Sequence, residues 1–263
     1  MSTDGIASAT SAVDERRPAS NLRAVSISRT FAGLVALSGV DLEIGRDEVV
    51  GLIGPNGAGK STLVNILTGF DQPTDGRVEF DGDDITVVAA HNRVRMGIAR
   101  TFQHARNFRG LSVRENIEVS ALGAGATPRQ AAKRGENLLR LLDLSDLAEM
   151  QAHALPHGEE QKLGVARALA THPSFVLLDE PAAGLGEAEV PAFAEVVRAV
   201  REVHEAGVLL IEHNFDLIVQ VCDRIHVLEE GRTLAIGCPD EIRRHPAVVA
   251  AYLGTTTSGV GGG

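Results

Sequence analysis

A chain of 263 residues can bury a substantial core, as one large domain or two small ones. Its formal charge of −10 and its scarcity of aromatics (3%, with no Trp and Tyr252 as the single Tyr) argue against nucleic-acid modules and anionic lipid surfaces. Hydrophobic residues make up 44%, yet no run of eighteen apolar residues occurs, so no segment reads as a membrane-spanning helix.

Residues 1–21 are rich in Ser, Ala and Thr with acidic residues mixed in, and are expected to be a disordered lead-in without the apolar stretch of a signal peptide. Segments 22–27 and 39–44 alternate apolar and polar residues, the pattern of half-buried antiparallel strands. The apolar run 49–53 then leads into a glycine-rich loop and a segment, 63–67, that reads as a helix. Residues 77–80 followed by Asp81-Gly82 predict a strand entering a tight turn. The stretches 128–150 and 159–171 suit helices. Residues 175–178 form an apolar run expected of a parallel strand buried on both faces. Val190, Phe193, Val197 and Val200 share one helix face, Gly207 is expected to end that helix, and 208–211 supplies another buried strand. The tail 255–263, Thr- and Gly-rich, is expected to be disordered. Strands alternating with helices predict an α/β fold with a mostly parallel sheet. Cys222 and Cys238 have no metal-type spacing and are expected to be reduced thiols.

The glycine-rich loop carries the chemistry. Gly54-Pro55-Asn56-Gly57-Ala58-Gly59-Lys60-Ser61-Thr62 is a complete G-x-x-x-x-G-K-[ST] phosphate loop in its strand–loop–helix context. Glycines at 54, 57 and 59 let successive amides turn inward as an anion nest, and the helix adds its positive end. Lys60 offers a charge for the β- and γ-phosphates, and Ser61 a hydroxyl for Mg²⁺. Downstream, Asp179 and Glu180 end the 175–178 strand, where ligands sit in open α/β sheets. Asp179 is the expected partner of Mg²⁺, and Glu180 the expected general base toward water. The chain is expected to bind a nucleoside triphosphate.

With these motifs in place, residues 22–254 resemble the ATP-binding subunit of an ABC transporter. The resemblance implies a P-loop NTPase (RecA-like) core, an N-terminal antiparallel β subdomain, and a helical subdomain at about 104–170 carrying the family's signature. The segment Met96-Gly97-Ile98-Ala99-Arg100-Thr101-Phe102-Gln103-His104 is similar to the glutamine-loop region of branched-chain amino-acid importers. So are Asn116, the segment 65–70 and the C-terminal stretch 237–254. Carried over by position, Gln103 matches the residue that contacts Mg²⁺ and the attacking water and relays nucleotide state to the membrane subunits. His213 matches the switch histidine on the γ-phosphate, and Phe31 the aromatic that stacks on adenine.

The match departs at the signature, usually LSGGQ. Here it is Leu155-Pro156-His157-Gly158-Glu159, in which Pro156 lacks both hydroxyl and N–H, and Leu155 and Gly158 keep the register. The loop Ala183-Gly184-Leu185-Gly186 ends in Gly where many relatives carry Asp or Asn. In the family both elements serve ATP bound by the partner. The half that serves the chain's own ATP is complete and the other half is altered. This implies a second, different ATPase subunit as partner, so a heterodimer over a homodimer. It also implies two transmembrane permease subunits, an extracytoplasmic solute-binding protein, no nucleic acid, and a peripheral position at the cytoplasmic face of the membrane. Two alternatives stay open: a weakly hydrolysing regulatory subunit, favoured by the altered signature, and a soluble ABC ATPase. The soluble members usually carry a coiled-coil insertion or paired nucleotide-binding domains, and the sequence has neither.

Overall fold

Apolar alternation builds the first layer. The computed structural model describes residues 21–102, 107–186 and 189–253. The expectations for 1–20, Gln103, His104 and 254–263 lie outside the described residues. Strands β1 (Asn21–Phe31) and β2 (Leu34–Gly45) form a hairpin, with Leu22, Ala24 and Ile27 facing Val40, Leu42 and Ile44 inside. After β3 (Val49–Ile53) and helix α1 (Lys60–Leu67) come β4 (Asp75–Phe80) and the short β5 (Asp83–Asp84). Asp81 and Gly82 both take positive φ between β4 and β5, as the Asp-Gly pair predicts. These strands make an antiparallel sheet in the order β2-β1-β4-β5.

Helix α2 (Ala90–Met96) and strand β6 (Ile98–Arg100) lead to three helices: α3 (Val113–Gly123), α4 (Pro128–Leu141) and α5 (His157–Ala170). Ser112 and Glu115 close a capping box on α3, and Thr127 and Gln130 close one on α4. The helical pattern expected through 150 stops earlier. Asp143 turns left-handed at φ 56°, and only a 3₁₀ turn at Ser145–Leu147 follows.

Strand β7 (Phe175–Asp179), helix α6 (Val190–His204), β8 (Gly207–Ile211), α7 (Phe215–Val221), β9 (Arg224–Glu229), β10 (Arg232–Gly237), α8 (Pro239–Arg244) and α9 (Pro246–Leu253) complete the chain. The second sheet runs β10-β9-β3-β8-β7-β6, parallel except for β10. Helix α6 ends at Glu205, which takes the left-handed cap at φ 49°, so Gly207 is the first residue of β8 and not the helix stop.

The parallel strands bury both faces. Val176 and Leu178 of β7, and Val208 and Leu210 of β8, join the core beneath α3–α6. Their neighbours Phe175, Leu177, Leu209 and Ile211 join a second core shared with α1 and the antiparallel sheet. Helix α1 is thus held between two sheets, with Leu63, Val64, Ile66 and Leu67 buried.

Arg93 finishes α1. Its fully buried guanidinium donates to the carbonyls of Ile66, Leu67, Ile85, Thr86 and Val88 at 2.7–2.9 Å. The bonds to Ile66 and Leu67 serve carbonyls in the last turn of α1, where intrahelical donors run out. Burial pulls the guanidinium down to about 10, and Asp84 pulls the other way.

Candidate functional site

Strand β3 delivers the chain into the loop 54–59, and α1 begins at Lys60 with Gly59 as its N-cap. Gly59 stands at φ 102°, and a Cβ there would lie 2.6 Å from a Leu37 methyl and 2.7 Å from the Ala36 carbonyl oxygen. The position therefore tolerates glycine alone. No side chain caps the first turn of α1, so its amides remain for an anion. Lys60 is buried, and its Nζ donates to the carbonyls of Gly54 at 2.6 Å and Pro55 at 3.1 Å. Burial lowers its pKa, while the nearby Glu180 and Asp179 raise it. Ser61 is exposed, and Thr62 is half-buried behind it.

The parallel register brings the acids to this loop. Asp179 of β7 lies across from Ile211 of β8, so the residues after both strands meet at the same sheet edge. Glu180 follows at φ 47°, a left-handed conformation that costs a non-glycine residue about 1 kcal/mol or more. Its Oε1 lies 2.6 Å from His213 Nε2. Asp179 is buried, and its carboxylate accepts from Arg100 at 2.9 Å. Burial pushes the Asp179 carboxyl up, and Arg100 pulls it down.

Two residues that sequence reasoning did not single out complete the site. Arg100 bridges Asp179 to Asn65 Oδ1 of α1 at 2.7 Å, with its guanidinium over the rings of Phe70 and Phe102. Glu212, 3% exposed, accepts from the backbone N–H of Ala182 at 2.7 Å and of His213 at 3.1 Å. Burial raises its pKa, against those backbone donors. No sequence signal marks an arginine or glutamate for burial, since both are ordinarily exposed.

Phe31 closes β1 at 42% exposure, with the Arg29 guanidinium 4.4 Å from its ring centre. The hairpin that carries it passes the phosphate loop, because Ala36 and Leu37 line Gly59. Leu155 and Gly158 lie elsewhere, at the start of α5. Leu155 packs on the larger core, and a Cβ on Gly158 would come within 2.8 Å of Glu189 Oε1. Pro156 is the N-cap of α5 and offers no side-chain cap. His157 Nε2 lies 2.8 Å from the Ala183 carbonyl oxygen, so the altered signature is joined to the loop 183–186.

The donor set suits a magnesium–phosphate group. A serine hydroxyl, a buried carboxylate and a lysine lie around uncapped amides, all hard oxygen or cationic partners. Among the described residues no three His, Cys, Asp or Glu side chains gather into a metal cage. Mg²⁺ bound mainly through substrate phosphates needs none.

Residues 37–183 match the family model for ABC transporters, and residues 232–256 match one described as "Branched-chain amino acid ATP-binding cassette transporter". The chain is 38% identical to the high-affinity branched-chain amino acid transport ATP-binding protein BraF of Pseudomonas aeruginosa, covering 89% of this chain and 97% of that one. Identity to LivG of Escherichia coli, of the same description, is 39% over 85% and 94%. The lipopolysaccharide export system ATP-binding protein LptB of Haemophilus influenzae is 34% identical over 89% and 97%. Among solved structures, a nucleotide-free ATP-binding cassette from an ABC transporter superposes with TM-score 0.78 at 30% identity, covering 89% of this chain and 98% of that one. This chain belongs to the ATP-binding proteins of ABC transporters, the ATPases that drive transport.

Proposed function

We propose that this chain hydrolyses ATP to energise an importer of branched-chain or other small hydrophobic amino acids. The observation that carries the substrate class is the pairing of 38% identity to BraF with the separate C-terminal match at residues 232–256. In this reading the chain sits peripherally at the cytoplasmic face, docked to two permease subunits that receive solute from an extracytoplasmic binding protein. None of its described helices is long and apolar enough to cross a membrane.

Each residue has a part. Phe31 stacks on adenine. The amides of 54–62 and Lys60 hold the β- and γ-phosphates, and Lys60 exchanges its carbonyl partners for them. Ser61, Asp179 and Gln103 hold Mg²⁺, which supplies charge neutralisation on the phosphate oxygens. Glu180 takes the proton of the attacking water, oriented by its hydrogen bond to His213. His213 also bonds the γ-phosphate. Leu155 and Gly158 face the nucleotide of a second ATPase subunit. The missing serine at Pro156 makes that shared site the slower one, so a different partner chain, with its own signature, serves the nucleotide held here.

Affinity purification of the tagged chain from detergent-solubilised cells, with mass spectrometry of what co-elutes, tests this. Two multi-spanning proteins and a second phosphate-loop ATPase are expected, and the complex should hydrolyse ATP faster when loaded with binding protein and leucine. Recovery of the chain alone, or with lipopolysaccharide-export components, would overturn the importer reading.

A further inference from the structure

The two halves of the site are joined within one chain. Strands β7 and β8 are neighbours, and the peptides that follow them are stitched together: Glu180 N–H donates to the Ile211 carbonyl at 2.9 Å. The Glu212 carboxylate lies at this seam, almost completely buried. One oxygen accepts from Ala182, which begins the loop 182–186, and the other from His213. From His213 the line continues to Glu180 through the 2.6 Å contact. In the opposite direction Ala183, next to Ala182, accepts from His157 at the head of α5. A line of hydrogen bonds and covalent links therefore runs His157–Ala183–Ala182–Glu212–His213–Glu180. One end faces the partner's nucleotide and the other the chain's own, on the reading given above.

We propose that Glu212 is a positioning residue that transmits the placement of the signature and the 182–186 loop to the His213–Glu180 pair. A buried carboxylate is costly to the fold unless its oxygens are bonded. Here each oxygen is matched to a donor on a different loop, so neither loop can move without leaving a buried acceptor short. That makes the two loops move as one. When the partner subunit engages the His157 end, the shift reaches His213 through a single side chain, with no rearrangement of the strands. The inference rests on the proposed roles of Glu180 and His213, and the experiment separates the two claims.

The complex recovered with the tagged chain is assayed with ATP for four forms: unaltered, Glu180→Gln, Glu212→Gln and Glu212→Asp. Glutamine keeps the size but sets an N–H₂ against one backbone N–H, and aspartate is too short to span both donors. Each Glu212 variant is expected to lower kcat about tenfold, within the usual range of coupling between sites, with KM for ATP within about twofold. If one variant fails to fold, the other decides. Adding His157→Ala to Glu212→Gln should cost no more than the larger single effect, because both changes cut one line. Normal kcat in a folded Glu212 variant overturns the inference. So does a double variant that multiplies the two losses, and so does a loss appearing only in KM. Glu180→Gln is expected to slow turnover by about 10²–10⁴-fold, the usual loss for a positioned base. Unimpaired turnover in that form would instead overturn the assignment of the site itself, and the Glu212 inference with it.

Discussion

The phosphate-loop side and the signature side are built from different materials. The first is made of backbone: Gly54 and Gly59 with no room for a Cβ, a helix held between two sheets, and a lysine folded onto two carbonyls. The second is made of side chains: a proline at the head of α5, a histidine reaching one carbonyl, and a glutamate against Gly158. Backbone sites tolerate little change where the backbone is closely packed, as at Gly54 and Gly59, whereas side-chain sites can be rewritten residue by residue. This difference explains how a chain can keep one half of its chemistry intact while the other departs from the family pattern.

Three changes break or sharpen that contrast. The largest effect is expected from Gly59→Ala, which puts a Cβ against Leu37 and Ala36 at a positive φ. It should cost about 3 kcal/mol or more in urea unfolding and weaken ATP binding at least about tenfold. Near-normal values for both would mean that the loop relaxes as readily as the signature side.

The second is a pH effect beneath the phosphate loop. His226 of β9 pairs with Leu52 of β3 and is fully buried, and burial, then Arg224, pulls its pKa down to about 4 while Asp41 raises it. The unfolded chain, with His near 6.5, binds the proton first. Stability due to the neutral ring is thus complete above pH 6.5 and lost as pH falls toward 4, about 3 kcal/mol in all. His226→Gln should remove about 2 kcal/mol of the stability difference between pH 7 and pH 5 in urea titrations. An unchanged difference would place the acid sensitivity elsewhere.

The smallest is Pro156→Ser, which restores a side-chain acceptor at the head of α5. It should add about 1 kcal/mol and raise Tm by about 2–4 °C. No gain would mean that the first turn of α5 is already satisfied by other groups.

Much of this contrast is legible in sequence, and the reason is local. The apolar runs that become β3, β7 and β8, and the loop between β3 and α1, are contiguous segments whose pattern fixes their state. The Ser112–Glu115 and Thr127–Gln130 capping pairs that start α3 and α4 are also visible as spacings, though only the structure drew attention to them. Arg93, Arg100 and Glu212 are not legible. Their partners lie up to 79 residues away, and only the fold says that a charged side chain is buried among carbonyls, rings or amides. Composition likewise could not show that α6 stops at Glu205, since a glutamate is an uncommon left-handed cap.

Arg93 has a further consequence, for the order in which the molecule is made. The nine residues of the phosphate loop lie early in the chain, yet the helix they open is completed by a guanidinium 26 and 27 positions past its last carbonyls, beyond β4 and β5. A nascent chain that has just emerged through residue 80 carries the whole nucleotide motif without its latch. Closing a loop of this length costs chain entropy, which must be offset by the contacts that β4 and β5 make. The helix opened by the nucleotide-binding loop therefore gains its last hydrogen bonds only once Arg93 has been made and the chain has closed back onto Ile66 and Leu67.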